Sequence, residues 1–169
     1  MVFKMRIIGI DPGYAIVGFG VIEYEKSRFT TINYGAVTTP AGIDFNRRLE
    51  IIYADMCQVL DIYRPESLAI EKLYFQNNQK TAIDVAEARG VILLAAAQRH
   101  IEIHEYTPLE VKKSITGYGK AVKKQVQEMT RRVLHLNEIP KPDDTADALA
   151  IAVCHAHTGS SMLSAYGKR

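Results

Sequence analysis

Acidic residues stand at three points of the sequence where a predicted element of secondary structure begins or ends. Asp11 ends one apolar run, Glu71 ends a second, and Asp144 and Asp147 lie at the start of a predicted helix. Converging carboxylates repel one another unless cations bind between them. Carboxylate oxygens without Cys or His neighbours suit Mg²⁺ or Mn²⁺. Two such ions about 4 Å apart can activate water and stabilise a leaving oxygen, which is the chemistry of phosphodiester hydrolysis.

Parts of this pattern also have a purely structural interpretation. Asp11 precedes a Pro-Gly pair and could simply start a turn. Asp143 follows a proline and is suited to cap a helix. Asp147 is harder to explain in this way, because its neighbours are small apolar residues that let a helix approach a sheet closely. Spacing alone pairs Asp147 equally well with Asp143 or with Asp144, so it leaves that choice open.

A basic block lies between the last predicted strand and the last predicted helix. Residues 109–141 contain 8 Lys and Arg against 3 Asp and Glu, although the whole chain has a net charge of only +2. Such an asymmetry indicates a surface for a polyanion. It would supply the phosphate contacts that an acidic site needs, since carboxylates alone repel DNA.

Length and composition indicate one globular unit. The chain has 169 residues, of which 47% are hydrophobic and 24% charged, which is enough for one domain with a substantial core. We assign this domain to residues 1–157 and expect residues 158–169 to form a flexible tail. No apolar run has the length of a membrane span, and the first residues lack a secretory pattern, so we expect a cytoplasmic protein.

The periodicity of the chain predicts an α/β fold. Three β-rich segments with short connections favour an antiparallel meander, and two later strands each follow a helix and so join the sheet in parallel. The result is a mixed five-stranded sheet flanked by helices. The strands are expected near 7–11, 15–24, 28–38, 67–71 and 101–106, and the main helices near 44–63, 80–100, 109–115, 122–136 and 143–157.

The helix expected at 80–100 is apolar beyond a single stripe. Residues 90–97 place apolar side chains on every face for two turns. A helix that is apolar all round is buried all round. Such a helix could be fully central, but in a domain of this size we favour one face packed on the sheet and another on a second copy, which predicts a homodimer.

The motifs together resemble the RuvC family of Holliday-junction resolvases, in the ribonuclease-H-like superfamily. The resemblance runs from Arg6 to His157 and implies a ribonuclease-H-like fold. It also implies that the four catalytic and metal-binding carboxylates are Asp11, Glu71, Asp144 and Asp147, and it favours Asp144 over Asp143. The motifs are Ile8-Gly9-Ile10-Asp11-Pro12-Gly13, Ala69-Ile70-Glu71, Gly117-Tyr118-Gly119, residues 123–129 and Asp144-Thr145-Ala146-Asp147-Ala148-Leu149-Ala150.

The same resemblance implies an activity and its partners. A homodimer would nick two strands of like polarity in a four-way DNA junction, with two Mg²⁺ ions (or Mn²⁺) per subunit, and leave 5′-phosphate ends. It would work with the RuvA–RuvB branch-migration complex. Lys112 and Lys123 match lysines that contact DNA near the cleaved phosphate, and Tyr74, with Phe75 beside it, matches an aromatic residue that stacks on an unpaired base. The basic block adds Lys120 and Lys124 as candidate DNA contacts.

Two other functions fit parts of the pattern. A junction-binding protein without catalytic activity would keep the fold, but it would not need acids at all four positions. A YqgF-like nuclease acting on RNA would share the fold and the acids. The long basic block and the aromatic segment at 74–75 favour the resolvase.

Overall fold

The structure, a computed structural model, describes residues 4–73 and 79–166, and these form one sheet with helices on both of its faces. The strands are β1 (Lys4–Asp11), β2 (Ile16–Glu25), β3 (Arg28–Thr38), β4 (Ser67–Glu71) and β5 (Glu102–Tyr106). The helices are α1 (Phe45–Tyr63), α2 (Gln79–Ala97), α3 (Pro108–Thr116), α4 (Lys123–Val133) and α5 (Asp143–Tyr166).

The sheet has the strand order β3-β2-β1-β4-β5. β1 pairs with β2, and β2 with β3, in antiparallel fashion. β4 lies parallel to β1 on one side and parallel to β5 on the other. The predicted mixed sheet, with three antiparallel strands followed by parallel ones, is confirmed.

Alternation along the strands divides the core into two layers. Ile7 and Ala69 belong to the layer under α3, α4 and α5. Ile8 and Ile70, one residue further along each strand, belong to the layer under α1 and α2. Because successive side chains along a strand point to opposite faces of the sheet, the position of a residue in its strand decides which layer it joins. Both layers are filled by fully buried apolar side chains.

α5 lies almost in contact with the backbone of β1 and β2. A Cβ atom added to Gly9 would lie 2.0 Å from the Ala148 carbonyl oxygen, and one added to Gly18 would lie 2.1 Å from that of Asp144. Glycine is therefore required at both positions, because any side chain would collide with the helix backbone. The small residues of α5 and the glycines of the sheet together allow this close approach.

Several helix ends differ from the prediction. α5 continues to Tyr166, past the expected end near His157. α2 ends at Ala97 rather than near His100, which adopts a positive φ of 56°. Asp143 is the first residue of α5 rather than its cap.

In the described ranges, no helix combines the length and apolarity that a bilayer crossing needs.

Candidate active site

Two of the predicted acids stand at the ends of neighbouring parallel strands. Asp11 is the last residue of β1 and Glu71 the last residue of β4. The residues just before them, Ile10 and Ile70, are paired across the two strands. Because Asp11 and Glu71 follow the alternation of the α5 side, both carboxylates lie on the face that α5 covers.

The first turns of α5 bring the other two acids to the same edge of the sheet. The close contact at Gly18 holds the backbone of Asp144 against β2. Thr145, which is fully buried, donates a hydrogen bond from Oγ1 to the carbonyl oxygen of Gly35, at 3.1 Å. These two contacts anchor the amino-terminal end of α5, and Asp147 follows one turn later.

The carboxylates perturb one another. Burial, with further contributions from the charges of Glu71, Asp147 and Asp144, raises the pKa of Asp11 to about 8. The pKa of Glu71 is also raised, chiefly by burial and then by the charge of Asp147. A buried carboxyl group with acidic neighbours keeps its proton unless positive charge is brought close. The cluster therefore favours binding of cations.

Lys123 brings the chain's own positive charge to this cluster. Its Nζ lies 2.7 Å from Oδ2 of Asp147 and 3.9 Å from Oδ2 of Asp143. The hydrogen bond to Asp147 is the main reason why the pKa of Lys123 is raised. Gln127, one helical turn further along α4, donates from Nε2 to Oδ1 of Asp147 at 3.5 Å. The Asp147 carboxylate is thus held from two sides by α4.

These groups open into a pocket of about 270 Å³ between α3, α4 and α5. Lys112 lies in the pocket with Lys123, and its charge acts on Glu71. The walls are otherwise mostly apolar. The lining residues are Glu71, Pro108, Val111, Lys112, Lys123, Val126, Asp147, Ala150 and Ile151.

The donor set of this site suits a hard divalent cation. Its candidate ligands are carboxylates, which Mg²⁺ and Mn²⁺ prefer. Within the described ranges, however, no three Asp, Glu, His or Cys side chains are gathered closely enough to enclose a metal ion. Asp147 is instead paired with Lys123. A cation shared by Asp147 and the strand acids would therefore have to compete with this ion pair.

The other candidate DNA contacts are spread around the pocket. Lys124 lies on the exposed side of α4 and lines a neighbouring groove with Tyr118. Lys120 lies exposed in the turn between α3 and α4. Tyr74 and Phe75 fall outside the described residues. Gln127 was not predicted from the sequence, although its position four residues after Lys123 places both on one face of a helix.

Comparison with known proteins agrees with this geometry. The profile of the family described as crossover junction endodeoxyribonuclease RuvC matches residues 7–155. The chain belongs to the RuvC family. A RuvC protein of Caldanaerobacter subterraneus is 50% identical over 94% of this chain and 96% of its own length. The RuvC of Alkaliphilus oremlandii is 52% identical over 92% of this chain and 95% of its own length.

Solved structures place the fold in the same group. A structure of Thermus thermophilus RuvC in complex with Holliday junction substrate has a TM-score of 0.88 and 34% identity, and the match covers 93% of this chain and 96% of that one. The yeast mitochondrial Holliday junction resolvase Ydc2 shares the fold, with a TM-score of 0.71 over 95% of this chain and 81% of that one, at only 13% identity. The family and the fold inferred from the motifs are both confirmed.

Proposed function

We propose that this protein is a crossover junction endodeoxyribonuclease that hydrolyses phosphodiester bonds in four-way DNA junctions during recombination and repair. The observation that carries the proposal is that Glu71, Asp144 and Asp147 lie near enough to Asp11, at one edge of the sheet, for their charges to act on it, in a chain of the RuvC family. The similarity to a RuvC structure that contains a Holliday junction supports the choice of DNA.

The four carboxylates would hold Mg²⁺, with Mn²⁺ as a substitute, as two ions per subunit. Bound there, the ions would activate a water molecule and stabilise the leaving 3′ oxygen, so that the products carry 5′-phosphate ends. The residues of the chain set up this chemistry: burial keeps Asp11 protonated until positive charge arrives, and Gln127 orients Asp147. Lys123 would exchange its bond to Asp147 for a phosphate oxygen of the DNA.

Lys112 and Lys123 would bind the phosphates next to the cleaved bond, because both line the pocket that holds Glu71 and Asp147. The first turn of α4 contains no acid, and Lys123 and Lys124 begin it. Lysines at the positive end of a helix are unfavourable in isolation and become favourable beside a polyanion. Lys120 and Lys124 would extend this contact. Tyr74 or Phe75 would stack on an unpaired base at the crossover.

The active molecule would be a homodimer formed through α2. Its exposed residues recur at intervals of four and three, as in helices that pack side by side. They are Ile83, Glu87, Gly90, Leu94 and Ala97. Two sites in such a dimer could nick two strands of like polarity symmetrically.

By family membership, the partner in the cytoplasm would be the RuvA–RuvB branch-migration complex. Residues 1–157 would form the single catalytic domain.

The test uses a labelled, mobile four-way DNA junction, incubated with and without Mg²⁺, with nicks mapped on all four strands. Paired, metal-dependent nicks on two strands of like polarity are expected. Binding without nicks in Mg²⁺ and Mn²⁺, on several junction sequences, would instead indicate a junction-binding protein. Cleavage of a matched RNA substrate in preference to the junction would indicate a YqgF-like nuclease.

A further inference from the structure

Arg89 reaches the active-site end of the sheet from the opposite face. It belongs to α2, which packs under the layer that contains Ile70, whereas the carboxylates lie on the side of α5. Its Nε donates a hydrogen bond to the backbone carbonyl oxygen of Glu71, at 3.2 Å. Its Nη2 donates to Oε2 of Glu105 on β5, at 2.6 Å. One guanidinium thus joins the last residue of β4 to the neighbouring strand.

The end of β4 has few other restraints. Pairing with β1 ends at Ile70, and pairing with β5 ends at Glu71 itself. One further backbone bond, from the amide of Lys72 to the carbonyl oxygen of Tyr106 at 2.8 Å, continues the ladder. Glu71 is therefore the last paired residue of a five-residue strand, and such ends fray easily.

The charges of the site act against this strand end. Glu71 is half-buried beside Asp11 and Asp147, and both burial and the charge of Asp147 raise its pKa. The acidic side chains therefore crowd the α5 face of this strand end. A hydrogen bond from a charged donor to the Glu71 carbonyl restrains the strand end from the opposite face, without occupying any space in the catalytic pocket.

The ion pair with Glu105 orients the guanidinium. The Arg89 side chain is only 14% exposed, whereas that of Glu105 is 47% exposed. A pair with one partner so open to solvent contributes little stability by itself. Its effect is to fix the planar guanidinium so that Nε points at the Glu71 carbonyl, which a lysine could not reproduce because it has no fork of donors.

We propose that Arg89 is a positioning residue, which holds the backbone of Glu71 in place for the reaction. The inference rests on the proposed function, since it assumes that the Glu71 carboxylate takes part in catalysis. It adds a link between α2 and the chemistry: the helix that presents the exposed stripe Ile83 to Ala97 also holds one end of the catalytic sheet.

Arg99 provides a matched control. It also bonds one carboxylate and one backbone carbonyl: Nε and Nη2 donate to the two Asp61 oxygens at 2.7 and 2.8 Å, and Nη1 donates to the Ala95 carbonyl at 3.0 Å. None of these acceptors belongs to the sheet. Arg99→Met therefore removes a similar set of bonds without releasing a strand, and Arg89→Met removes the set that holds β4.

The experiment compares the wild type with Arg89→Met, Arg89→Lys and Arg99→Met. Without added metal, amide hydrogen exchange of residues 67–73 is measured together with junction affinity. With Mg²⁺, single-turnover cleavage is measured at saturating protein. Arg89→Met is expected to speed exchange of the Lys72 amide and to slow cleavage by about 10- to 100-fold, since small misplacements of reacting groups have effects of this size. Junction affinity should stay within about twofold of the wild-type value, because Arg89 does not line the pocket that contains Lys112 and Lys123.

Arg89→Lys should fall between the wild type and Arg89→Met, and Arg99→Met should match the wild type in both exchange and cleavage. Exchange in Arg89→Met that equals that in Arg99→Met would overturn the inference, and so would full activity of Arg89→Lys. The exchange measurement needs no cleavage. A wild type that fails to cut junctions would therefore count against the proposed function and leave the positioning of β4 to be judged separately.

Discussion

Asp143 and Asp144 are neighbours in the sequence, but their carboxylates have different surroundings. Asp144 is one of the groups whose charge raises the pKa of Asp11. Asp143 accepts a hydrogen bond from Lys141 at 2.7 Å, and this contact lowers the pKa of Asp143. Spacing could not choose between the two residues. Their electrostatic environments support Asp144, rather than Asp143, as the fourth acid of the catalytic cluster.

Asparagine substitutions test this choice. Asp144→Asn and Asp147→Asn should each slow junction cleavage by at least about 100-fold, because each removes a negative ligand from the proposed metal site. Asp143→Asn should slow it by no more than about threefold, since the near partner of Asp143 is Lys141, which lies outside the cluster. Junction binding should persist in all three variants. Wild-type cleavage by Asp147→Asn, measured on a labelled junction in Mg²⁺, would show that the site is wrongly assigned.

The raised pKa of Asp11 predicts how stability depends on pH. Asp11 titrates near pH 8 in the folded chain, against an ordinary value of 3.8. Between these values the folded protein holds a proton that the unfolded chain releases, so this contribution to stability is lost as the pH rises through 8. Asp11→Asn cannot ionise. In EDTA at pH 8.5 the free energy of unfolding of Asp11→Asn should exceed that of the wild type by up to about 5 kcal/mol, since one pKa unit corresponds to about 1.4 kcal/mol.

Urea unfolding at pH 4.5 and pH 8.5 measures this difference. The gap between Asp11→Asn and the wild type should shrink at the lower pH, because near pH 4 the unfolded chain also takes up a proton at Asp11. Asp61→Asn serves as the control, because Asp61 lies on the surface in an ion pair with Arg99. A wild type that gains stability relative to Asp11→Asn at high pH would contradict the buried, crowded environment of Asp11.

At the level of single residues, the sequence reveals acids but not the contacts that tune them. Asp11 and Glu71 can be picked out because each directly follows an apolar strand. The ion pair between Lys123 and Asp147 cannot, since it joins residues of two helices that only tertiary packing brings together. The same holds for Arg89 and the Glu71 carbonyl, because a backbone acceptor leaves no trace in the amino-acid sequence.

Among the elements, α5 is the one whose position depends most directly on glycines that lack a side chain. Gly18 faces the Asp144 backbone so closely that a methyl group would lie 2.1 Å from its carbonyl oxygen. Gly18→Ala should therefore push the start of α5 away from β2. We expect a loss of about 1–3 kcal/mol in free energy of unfolding, as for other overpacked cores. Cleavage should slow as well, measured well below the unfolding transition, because Asp144 and Asp147 move with the helix.

Gly159, near the other end of α5, is the matched control. Among the described residues, a Cβ atom there would meet only the Cε of Met5, at 3.6 Å, which is an ordinary contact. Gly159→Ala should raise the free energy of unfolding by about 0.5–1 kcal/mol, because alanine loses less backbone entropy in a helix. Cleavage should not change. Equal stability of the two variants would mean that α5 does not lie as close to β2 as the structure shows.

Element types could be predicted more accurately than element ends. The strands follow from β-branched runs, and their two packing faces follow from alternation. The end of α5 could not be predicted, because Gly159 and the serines after it suggest an end that the backbone does not make. The end of α2 depends on the positive φ of His100, a conformation that the amino-acid sequence around this residue does not predict.

For the whole molecule, the order of elements was enough to predict the sheet. Three strands with short connections must form antiparallel neighbours, and strands that each follow a helix join in parallel. The sequence did not place β4 beside β1; the structure shows β1 at the centre, paired with the antiparallel β2 and the parallel β4. Asp11, at the end of this central strand, is therefore within reach of Glu71 on β4 and of the first turns of α5.

The proposed dimer depends on the exposed stripe of α2. Leu94 is 51% exposed in the single chain, and a Cβ added to Gly90 would meet nothing within 4 Å in the part of the chain that the structure describes, so this face is open to a second helix. Around a two-fold axis, Leu94→Glu would bring two like charges into an apolar contact. Such a contact costs several kcal/mol, so the dimer dissociation constant should rise by at least about 100-fold. Ile32→Glu, on the edge strand β3, is the control and should stay dimeric.

Sedimentation velocity at micromolar concentration measures the association, and junction mapping measures its consequence. The wild type and Ile32→Glu should sediment as dimers and make paired nicks. Leu94→Glu should sediment as a monomer and bind the junction more weakly, because one subunit contacts fewer phosphates. Its remaining nicks should be unpaired, since each subunit carries a single set of carboxylates. A monomeric wild type would refute the dimer, whereas a dimeric Leu94→Glu would place the interface on another face of the molecule.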